Sequence, residues 1–281
     1  MSSTLGSPQP QPRSPFAEVD TMPPHMLAAV HAMLEGMAAN PEIVRVRRAA
    51  HDALRPVSGQ RLLDAGCGVG EVARQLAADV APGGEVVALD FSTTTVAAAA
   101  QRHDGNAVQY VTGDVTALEF PDEVFDGVRC ERVLQHLADP DGAVRELVRV
   151  TRPEGRICLI DTDWESPVID GVPEDMVAAV RTHIYSRAML HNRSMGRTLR
   201  RRLVRAGVLD VVAVPVTCCF VDPAAASMVL PMLNTQVPPE AGMLPDGMRD
   251  AWFSAVASAA ARNEFLAALT IWVAAGTRPV R

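Results

Sequence analysis

The chain has 281 residues, of which 48% are hydrophobic and 21% are charged, and its formal net charge is −7. This length and composition suit one large domain with a sizeable core, and they exclude wholesale disorder. All 26 basic residues are arginine. The absence of lysine excludes Schiff-base aldolases, pyridoxal phosphate enzymes and a Walker-type phosphate loop, which all need that residue.

The partners and the cellular compartment to expect follow from the negative net charge, the cysteine spacing and the hydropathy of the chain. Nucleic acid is not an expected partner, because binding it needs a basic face that replaces counterions around phosphate. The five cysteines form no C-x-x-C pair, so neither a disulfide framework nor a zinc site is expected, and a reducing cytoplasm is the expected compartment. The apolar run 265–275 is too short to cross ~30 Å of hydrocarbon, and the N-terminus does not resemble a signal peptide.

The N-terminal region divides into a polar tail and two helices. Residues 1–15 are rich in Ser, Pro and Gln, and we expect them to be a disordered tail. Helices are predicted over 26–37 and 41–54 from apolar periodicity and from the prolines that precede or begin them. Arg47 lies on the apolar face of the second helix. A buried arginine there needs an anionic partner, and the alternative is an arginine that extends to the surface.

Short apolar runs then alternate with helical stretches. Strands are predicted over 61–65, 85–90, 108–113, 125–130 and 156–161, and helices over 71–79, 92–102 and 141–150. This alternation predicts a parallel sheet that is covered by helices on both faces. Two more strands are predicted over 211–220 and 269–275. The intervening residues 222–264 are predicted to be mostly helical and are rich in Met, which suits either a core or an adaptable wall for an apolar substrate.

A glycine-rich turn links the first predicted strand to the helix that follows it. It reads Asp64-Ala65-Gly66-Cys67-Gly68-Val69-Gly70 and continues into Glu71. Such a turn brings backbone N–H groups close to a ligand. A dinucleotide-binding loop has the spacing G-x-G-x-x-G. Here the third glycine comes one residue early and a carboxylate takes the usual glycine position, which argues against a pyrophosphate ligand.

Acidic residues follow the second and third predicted strands. Asp90 ends the second strand, where a carboxylate can accept both ribose hydroxyls of a nucleoside. Asp114 follows the third strand, where an acidic side chain and the next backbone N–H can read the amino group and ring nitrogen of adenine. Together with the glycine turn, these positions indicate a site for a nucleoside.

Several ordered motifs in this region resemble those of class I S-adenosylmethionine-dependent methyltransferases of the ubiquinone/menaquinone-biosynthesis type, also called methyltransferase type 11. They are LDAGCGVG, VVALD, VTGDVTALEFPDEVFDGVRCERVLQHLADP and LVRVTRPEGRICLID, and the resemblance is strong over about 40–162. It implies a Rossmann-like, doubly wound α/β fold. The sheet would have seven strands, mostly parallel, with a reversed last strand. The implied cofactor is S-adenosyl-L-methionine, with S-adenosyl-L-homocysteine as product.

The resemblance also implies roles for individual residues in cofactor binding. The implied contacts are Asp64, Gly66, Cys67 and Gly68 for the methionine side, Asp90 for ribose, Phe91, Asp114 and Val115 for adenine, and the Cys130 carbonyl for the methionine amino group. Arg47 is a hypothetical bidentate partner for the cofactor's carboxylate. The sequence departs from the family pattern at Val69 and Glu154, which leaves cofactor binding intact because the loop acts mainly through its backbone.

Residues after the fourth and fifth predicted strands are candidates for the acceptor side, because ligands in such sheets bind beyond the carboxyl ends of strands. His136 and Asp163 are the candidate catalytic groups, and the sequence does not choose a general base among these two and Glu165. Asp161 is expected to be a structural turn residue. The candidate substrate contacts are Trp164, Tyr185, His191 and Arg197, although packing is the alternative for Tyr185, His191 and also His136. The Arg193–Arg202 cluster fits either a solvated helix face or a site for an anionic substrate group.

These features predict a methyltransferase that acts in line on O, N or C of a small, apolar or natural-product-like molecule, with no metal. We expect a helical lid over 16–55 and a methyltransferase domain over 56–281, with substrate-capping helical segments at about 162–207 and 222–264. The first alternative is an S-adenosylmethionine-binding protein without methyl transfer, either regulatory or cyclase-like. The second is an NAD-dependent oxidoreductase, against which the glycine spacing argues. Assembly into a homo-oligomer is compatible with the sequence.

Overall fold

The computed structural model describes residues 19–102, 105–186 and 192–280. The tail expected over 1–15 lies outside these residues. The helices are α1 (Pro24–Ala39), α2 (Pro41–Leu54), α3 (Glu71–Asp79), α4 (Thr93–Gln101), α5 (Pro140–Val150), α6 (Glu174–Ser186), α7 (Met195–Arg205), α8 (Pro223–Ser227) and α9 (Arg249–Ala261). The strands are β1 (Arg61–Ala65), β2 (Glu85–Asp90), β3 (Val108–Thr112), β4 (Phe125–Glu131), β5 (Thr151–Asp170), β6 (Leu209–Phe220) and β7 (Leu266–Thr277).

The seven strands form one sheet in the order β3-β2-β1-β4-β5-β7-β6. β1 pairs in parallel with both β2 and β4, whereas β7 runs antiparallel to both β5 and β6. The predicted seven-stranded sheet with a reversed last strand is therefore confirmed. The strand order reverses between β1 and β4, and ligands of open α/β sheets bind outside the carboxyl ends of the strands at such a switch point.

Helices cover both faces of the sheet, because the central strands carry apolar side chains on both of their faces. Leu62 of β1 packs in one buried cluster with Leu76 of α3, and the adjacent Leu63 packs in the other cluster with Leu147 of α5. Consecutive strand residues point to opposite faces. The doubly wound arrangement thus buries apolar side chains on two sides of one sheet.

Helix α2 covers one of these sheet faces. It begins after Asn40, whose side-chain oxygen accepts the N–H of Glu42 at 3.0 Å, an arrangement that satisfies a free N–H of the first turn. Its buried residues, Ile43, Val46, Ala50 and Leu54, belong to the same cluster as residues of β5 and β7. The buried face of α2 is therefore part of the core, and the lid assignment for 16–55 stays a prediction.

The strand β5 is much longer than the predicted 156–161. It continues to Asp170 because β7 pairs with it antiparallel over most of its length, with a bulge between Asp163 and Val168. The expectation that a helical capping segment begins at about 162 is therefore wrong. Helices in this part of the chain begin only at Glu174.

The prediction that 222–264 is mostly helical is only partly correct. Helices α8 and α9 lie at the two ends, but between them the chain makes turns and two short 3-10 helices, Pro231–Leu233 and Pro239–Ala241. Four prolines in this stretch explain the difference, because proline lacks the N–H that an α-helix interior needs. They are Pro231, Pro238, Pro239 and Pro245.

Candidate active site

The glycine turn after β1 is held against the end of β2. The N–H groups of Gly66 and Cys67 both donate to the Leu89 carbonyl, at 2.7 and 2.9 Å. Gly66 has a φ of 80°, and a Cβ at this position would lie 2.1 Å from Cγ2 of Val133. Glycine is therefore required here both by the backbone conformation and by close packing. These two N–H groups fix the loop rather than face open space, in contrast to the sequence expectation.

Asp90 connects the end of β2 to the same loop. Its Oδ2 accepts the Gly68 N–H at 2.9 Å, and its Oδ1 accepts the Ser92 N–H at 3.1 Å. Burial raises the pKa of Asp90 above its usual range, although these hydrogen bonds act in the opposite direction. Because burial makes the ionised form of this carboxylate less favourable, a ligand that brings positive charge or hydroxyl donors would stabilise it.

The three residues predicted for the adenine side flank the same edge of the sheet. Phe91 is 49% exposed directly after β2, and Val115 is buried after β3. Asp114 is exposed, and its Oδ1 accepts the N–H of Thr116 at 2.8 Å and its hydroxyl at 2.7 Å. These contacts hold the turn after β3 in place, with an exposed aromatic ring and an acid beside it.

A buried charge cluster lies under the loop at the carboxyl ends of β1 and β4. Asp64 and Arg129 occupy paired positions on the two strands, and their side chains form a hydrogen-bonded ion pair at 3.0 Å. Arg129 also bonds to Glu131, two residues farther along β4. Burial raises the pKa of Asp64 above its usual value, because its effect is larger than the opposite effect of Arg129. Burial also acts to raise the pKa of Glu131, but the neighbouring arginines outweigh it and lower this pKa to about 2.

Arg47 reaches this cluster from α2. Its Nη1 donates to Glu71 at 2.9 Å, and its Nε lies 3.5 Å from a Glu131 oxygen. Arg47 thus has anionic partners within the protein, at the start of α3 and the end of β4. The sequence predicted the need for an anionic partner but did not identify these two residues.

Three buried polar atoms of the cluster have no hydrogen-bond partner among the described residues. They are Oδ2 of Asp64 and the Nε atoms of Arg47 and Arg132. Buried polar atoms are nearly always hydrogen-bonded in native proteins. Both Nε atoms lie 3.5 Å from a Glu131 oxygen as ion-pair partners that form no hydrogen bond, whereas Oδ2 of Asp64 is an acid oxygen that can accept an N–H from an ammonium group.

Trp164, Tyr185 and Arg197, three of the predicted substrate contacts, lie together with Asp163, and Asp163 and Trp164 belong to the second half of β5. Arg197 of α7 holds Asp163 with two hydrogen bonds, Nε to Oδ2 at 2.5 Å and Nη2 to Oδ1 at 2.8 Å. The Tyr185 hydroxyl donates to the Trp164 carbonyl at 3.0 Å. The guanidinium of Arg193 lies 4.7 Å from the centre of the Tyr185 ring. Both oxygens of Asp163 are therefore occupied by a cation.

His136 joins this group through its neighbour in the sequence. It ends the 3-10 turn Leu134–His136, which follows β4, and its Nε2 lies 3.1 Å from Nε2 of Gln135. The other end of the Gln135 amide accepts the indole N–H of Trp164 at 2.6 Å. The structure thus brings together His136, Trp164, Tyr185 and Arg197, whereas His191 lies outside the described residues.

The arginine cluster of α7 is partly paired within the protein. Arg202 bonds to Asp141 in the first turn of α5 at 2.5 Å, and Arg197 bonds to Asp163 as described above. Arg200 and Arg201 are exposed. The cluster therefore combines ion pairs that join α7 to its neighbours with a solvated face. Within the residues that the structure describes, no group of His, Cys, Asp or Glu side chains is arranged to hold a metal ion.

The segment before α1 attaches to the first turn of α4. The Asp20 carboxylate accepts the N–H groups of Thr93 and Thr94 at 3.0 and 3.2 Å, and the Ser92 hydroxyl at 2.6 Å. Burial raises the pKa of Asp20, but the hydrogen bonds from Ser92, Thr93 and Thr94 together outweigh it and hold the pKa below its usual value. On α1 itself, Leu34 lies next to Gly68 of the loop. The N-terminal segment therefore lies along the edge that carries the glycine loop and Asp90.

Comparison with known proteins finds a family that this part of the chain resembles. A family model described as a methyltransferase domain matches residues 63–159, which contain the glycine turn, Asp90, Asp114 and the Leu134–His136 turn. This segment of the chain is therefore similar to a methyltransferase domain.

Two curated relatives and one solved structure illustrate the similarity. An uncharacterized 37.1 kDa protein in transposon TN4556 of Streptomyces fradiae is 36% identical over 224 residues, which are 79% of this chain and 64% of that protein. Demethylmenaquinone methyltransferase of Mycobacterium tuberculosis is 40% identical over 115 residues, or 41% of this chain and 46% of the relative. The chain thus spans about half to under two thirds of the length of these relatives.

The solved structure is Haemonchus contortus phosphoethanolamine N-methyltransferase 2, in complex with phosphomonomethylethanolamine and S-adenosylhomocysteine. It is similar with a TM-score of 0.55 and 19% sequence identity, and the similarity covers 84% of this chain and 52% of that one. At this level of identity the likeness shows a shared fold.

Several residues of this site were missed by sequence reasoning. Arg129 and Glu131 are two residues apart in β4, so both charged side chains lie on the same face of a buried strand. This spacing could have indicated a buried ion pair from the sequence. Gln135 gave no comparable signal, and Glu71 was noted only as the carboxylate after the glycine turn, because their partners come from segments distant in the sequence.

Proposed function

We propose that this chain transfers a methyl group from S-adenosylmethionine to a small molecule that binds beside His136 and Trp164. The observation that supports it most is the pair of acids at the glycine turn, Asp64 and Asp90. Burial raises the pKa of both, and the nearby charge of Asp64 raises the pKa of Asp90 further. A cationic ligand between them relieves this repulsion, and S-adenosylmethionine carries both a sulfonium and an ammonium group.

The chain's residues fit the parts of this cofactor separately. Asp64 offers to the ammonium group a buried oxygen that accepts no hydrogen bond. Arg47 and Arg132, whose Nε atoms form ion pairs with Glu131 at 3.5 Å but no hydrogen bond, would turn these N–H groups to the carboxylate. Asp90 would exchange its bond to the Gly68 N–H for bonds from the ribose hydroxyls. Phe91, Asp114 and Val115 would receive adenine, and Cys130 would present its carbonyl on the methionine side.

When bound, the cofactor supplies a methyl group that is activated by the positive sulfur and leaves a neutral thioether. The protein's task is therefore to align donor and acceptor and to exclude water, which is worth several kcal/mol when the geometry is correct. We propose that Trp164, Tyr185 and Arg197, with His191, line the acceptor side. The half-buried Met243 and Met248 beside the buried Met232 favour an apolar, natural-product-like acceptor.

We also propose that the N-terminal segment with α1 serves as the lid over the cofactor. Leu34 beside Gly68, Met37 bonded to Arg132 at 3.5 Å, and Asp20 on the start of α4 support this assignment. The segments that cap the acceptor would be α6 with α7, and the turns between α8 and α9. No helix among the described residues is long and apolar enough to cross a membrane.

The test is an acceptor screen with a labelled methyl donor, in which metabolite extracts are incubated with the protein and S-adenosylhomocysteine is measured. Label transfer together with stoichiometric S-adenosylhomocysteine supports the proposal. Tight cofactor binding without turnover in any extract would instead indicate a binding or cyclase-like protein.

A further inference from the structure

A polar cavity of about 250 Å³ lies at the start of α7. Its walls come from β5, from the turn before α7 and from one face of α7. Three arginines line it, Arg193, Arg201 and Arg202, together with one acid, Glu165. A concave surface with an excess of positive charge raises the local concentration of anions. The cavity is therefore a candidate site for an anionic group.

The acids beside this cavity already have partners within the protein. Arg197 bonds to Asp163 and also lies 3.3 Å from Glu165. Arg202 bonds to Asp141 of α5 at 2.5 Å. A cationic ligand would have to compete with these guanidinium groups for the three carboxylates, whereas an anionic ligand would not.

Two arginines of the cavity wall have no acid as a partner. Within the part of the chain that the structure describes, neither Arg193 nor Arg201 forms an ion pair. The Arg193 guanidinium donates to the Tyr185 carbonyl at 2.6 Å and lies over the Tyr185 ring. A group that is already held in this way loses little freedom when it binds an anion. Ser194, also in the wall, has a hydroxyl that makes no capping hydrogen bond to α7.

The number of donors around the cavity favours an anion with more than two oxygens. Three guanidinium groups and the Ser194 hydroxyl face one space. A carboxylate has two oxygens, whereas a phosphate group has three acceptor oxygens and matches the planar fork of arginine. We propose that this cavity binds a phosphate or diphosphate group of the methyl acceptor.

The cavity adjoins the place that we propose for the reacting part of the acceptor. The backbone carbonyl of Arg193 accepts the N–H of Trp164 at 2.8 Å, and Glu165 directly follows Trp164 in β5. An acceptor that is anchored here by its phosphate would have its apolar part beside Trp164. This inference rests on the proposed function, to which it adds an anionic end of the apolar acceptor.

The test is calorimetric titration of the full chain with inorganic pyrophosphate at constant ionic strength. We expect one site per chain, and we expect Arg201→Gln to weaken binding about tenfold or more, the scale of one hydrogen bond to a charged group. Because Arg201 has no ion pair to lose, its substitution should leave the unfolding temperature unchanged.

Arg200→Gln is the matched control. Arg200 is exposed and precedes Arg201 in α7, but it does not belong to the cavity wall. The two variants remove the same charge from the same helix. A general attraction of anions to this surface would therefore weaken equally in both, whereas a site in the cavity is affected by Arg201→Gln alone.

A second comparison tests the chemistry of the anion. Inorganic phosphate and succinate carry similar negative charge at pH 8, but succinate offers only carboxylates. We expect the wild-type protein to bind phosphate more tightly than succinate. Saturation with S-adenosylhomocysteine should leave the affinity for pyrophosphate unchanged, because the cavity lies outside the residues proposed to hold the cofactor.

Four results would overturn the inference. They are no binding of pyrophosphate at millimolar concentration, equal losses in Arg200→Gln and Arg201→Gln, tighter binding of succinate than of phosphate, and competition between pyrophosphate and S-adenosylhomocysteine. Titration with S-adenosylhomocysteine alone separates this failure from failure of the proposed function. Cofactor binding without a pyrophosphate site contradicts only the anion site, whereas a pyrophosphate site without cofactor binding contradicts the methyltransferase proposal.

Discussion

Asp64 on β1 and Arg129 on β4 lie directly opposite each other in the sheet, and their side chains form an ion pair in the buried centre of the site. Arg129 is at the same time the partner of Glu131. One guanidinium therefore bonds to two carboxylates at the point where the strand order reverses, and Arg47 and Arg132 also lie beside Glu131. The site's charge balance depends on this arginine before any ligand binds.

Arg129→Met is expected to destabilise the fold strongly. It leaves the buried Asp64 without its ion-pair partner and removes the hydrogen-bonded partner of Glu131, and breaking a buried pair in this way costs about 3–5 kcal/mol. Arg145→Met is a matched control, because Arg145 pairs with Asp139 at 3.4 Å with both side chains more than half exposed, and such pairs contribute at most about 1 kcal/mol. Urea unfolding measures both. Similar small losses for the two variants would contradict this account of the cluster.

The acid Asp161 should make stability depend on pH. Burial raises the pKa of Asp161 from 3.8 to about 7 in the folded protein, against hydrogen bonds from Thr162 and Gln135 and the nearby charge of Arg132. The folded state thus binds a proton that the unfolded state releases, so the contribution to stability falls as pH rises between these two values and is level above them.

Asp161→Asn removes this titration. The difference in the free energy of unfolding between the wild-type protein and the variant should therefore become smaller as the pH rises from 3.8 to about 7. The amide also loses one acceptor for the two N–H groups, which shifts the difference by a constant but not its slope. Chemical denaturation at a series of pH values measures it. A flat difference would mean that Asp161 titrates normally.

Arg47→Met should raise the dissociation constant of S-adenosylmethionine and leave adenosine binding unchanged, because adenosine has no carboxylate for the guanidinium to bind. Arg45→Met is the control on the same helix, since Arg45 is exposed and pairs with Glu42. Calorimetry with the two ligands gives the comparison. Equal losses for both ligands would reject the carboxylate contact.

Asp20→Ala should loosen the N-terminal segment without unfolding the domain. The carboxylate caps the first turn of α4 through three residues, and loss of a cap costs about 0.5–2 kcal/mol. Limited proteolysis is expected to cleave near α1 faster in this variant, and bound S-adenosylhomocysteine should protect the wild-type protein more than the variant. Identical cleavage with and without ligand would remove the support for a lid.

Most strands of the sheet could be predicted from the sequence because they are short apolar runs, which can be recognised from their local composition alone. Strand β5 exceeded its prediction because its second half is stabilised by pairing with β7, a partner about a hundred residues later in the chain. The prolines between α8 and α9 are evident in the sequence, and they argue against the helix that we predicted for this segment.

The site was predictable where motif and backbone coincide, as at the glycine turn, Asp90 and Asp114. It was not predictable where side chains from distant segments meet. Arg47 with Glu71, and Gln135 with Trp164, are pairs that only the folded chain brings together. A sequence pattern shows that a charge needs a partner, but the tertiary structure selects the partner.

The central claim is that the edge bearing Asp90 binds S-adenosylmethionine, and calorimetric titration tests it most directly. S-adenosylmethionine and S-adenosylhomocysteine should bind to one site, and NADH should not bind. Asp90→Ala should weaken binding by about 1–3 kcal/mol, the scale of lost charged hydrogen bonds, whereas Glu85→Ala at the other end of β2 should leave it unchanged. Binding of NADH in place of S-adenosylmethionine, or an affinity indifferent to Asp90, would contradict the account.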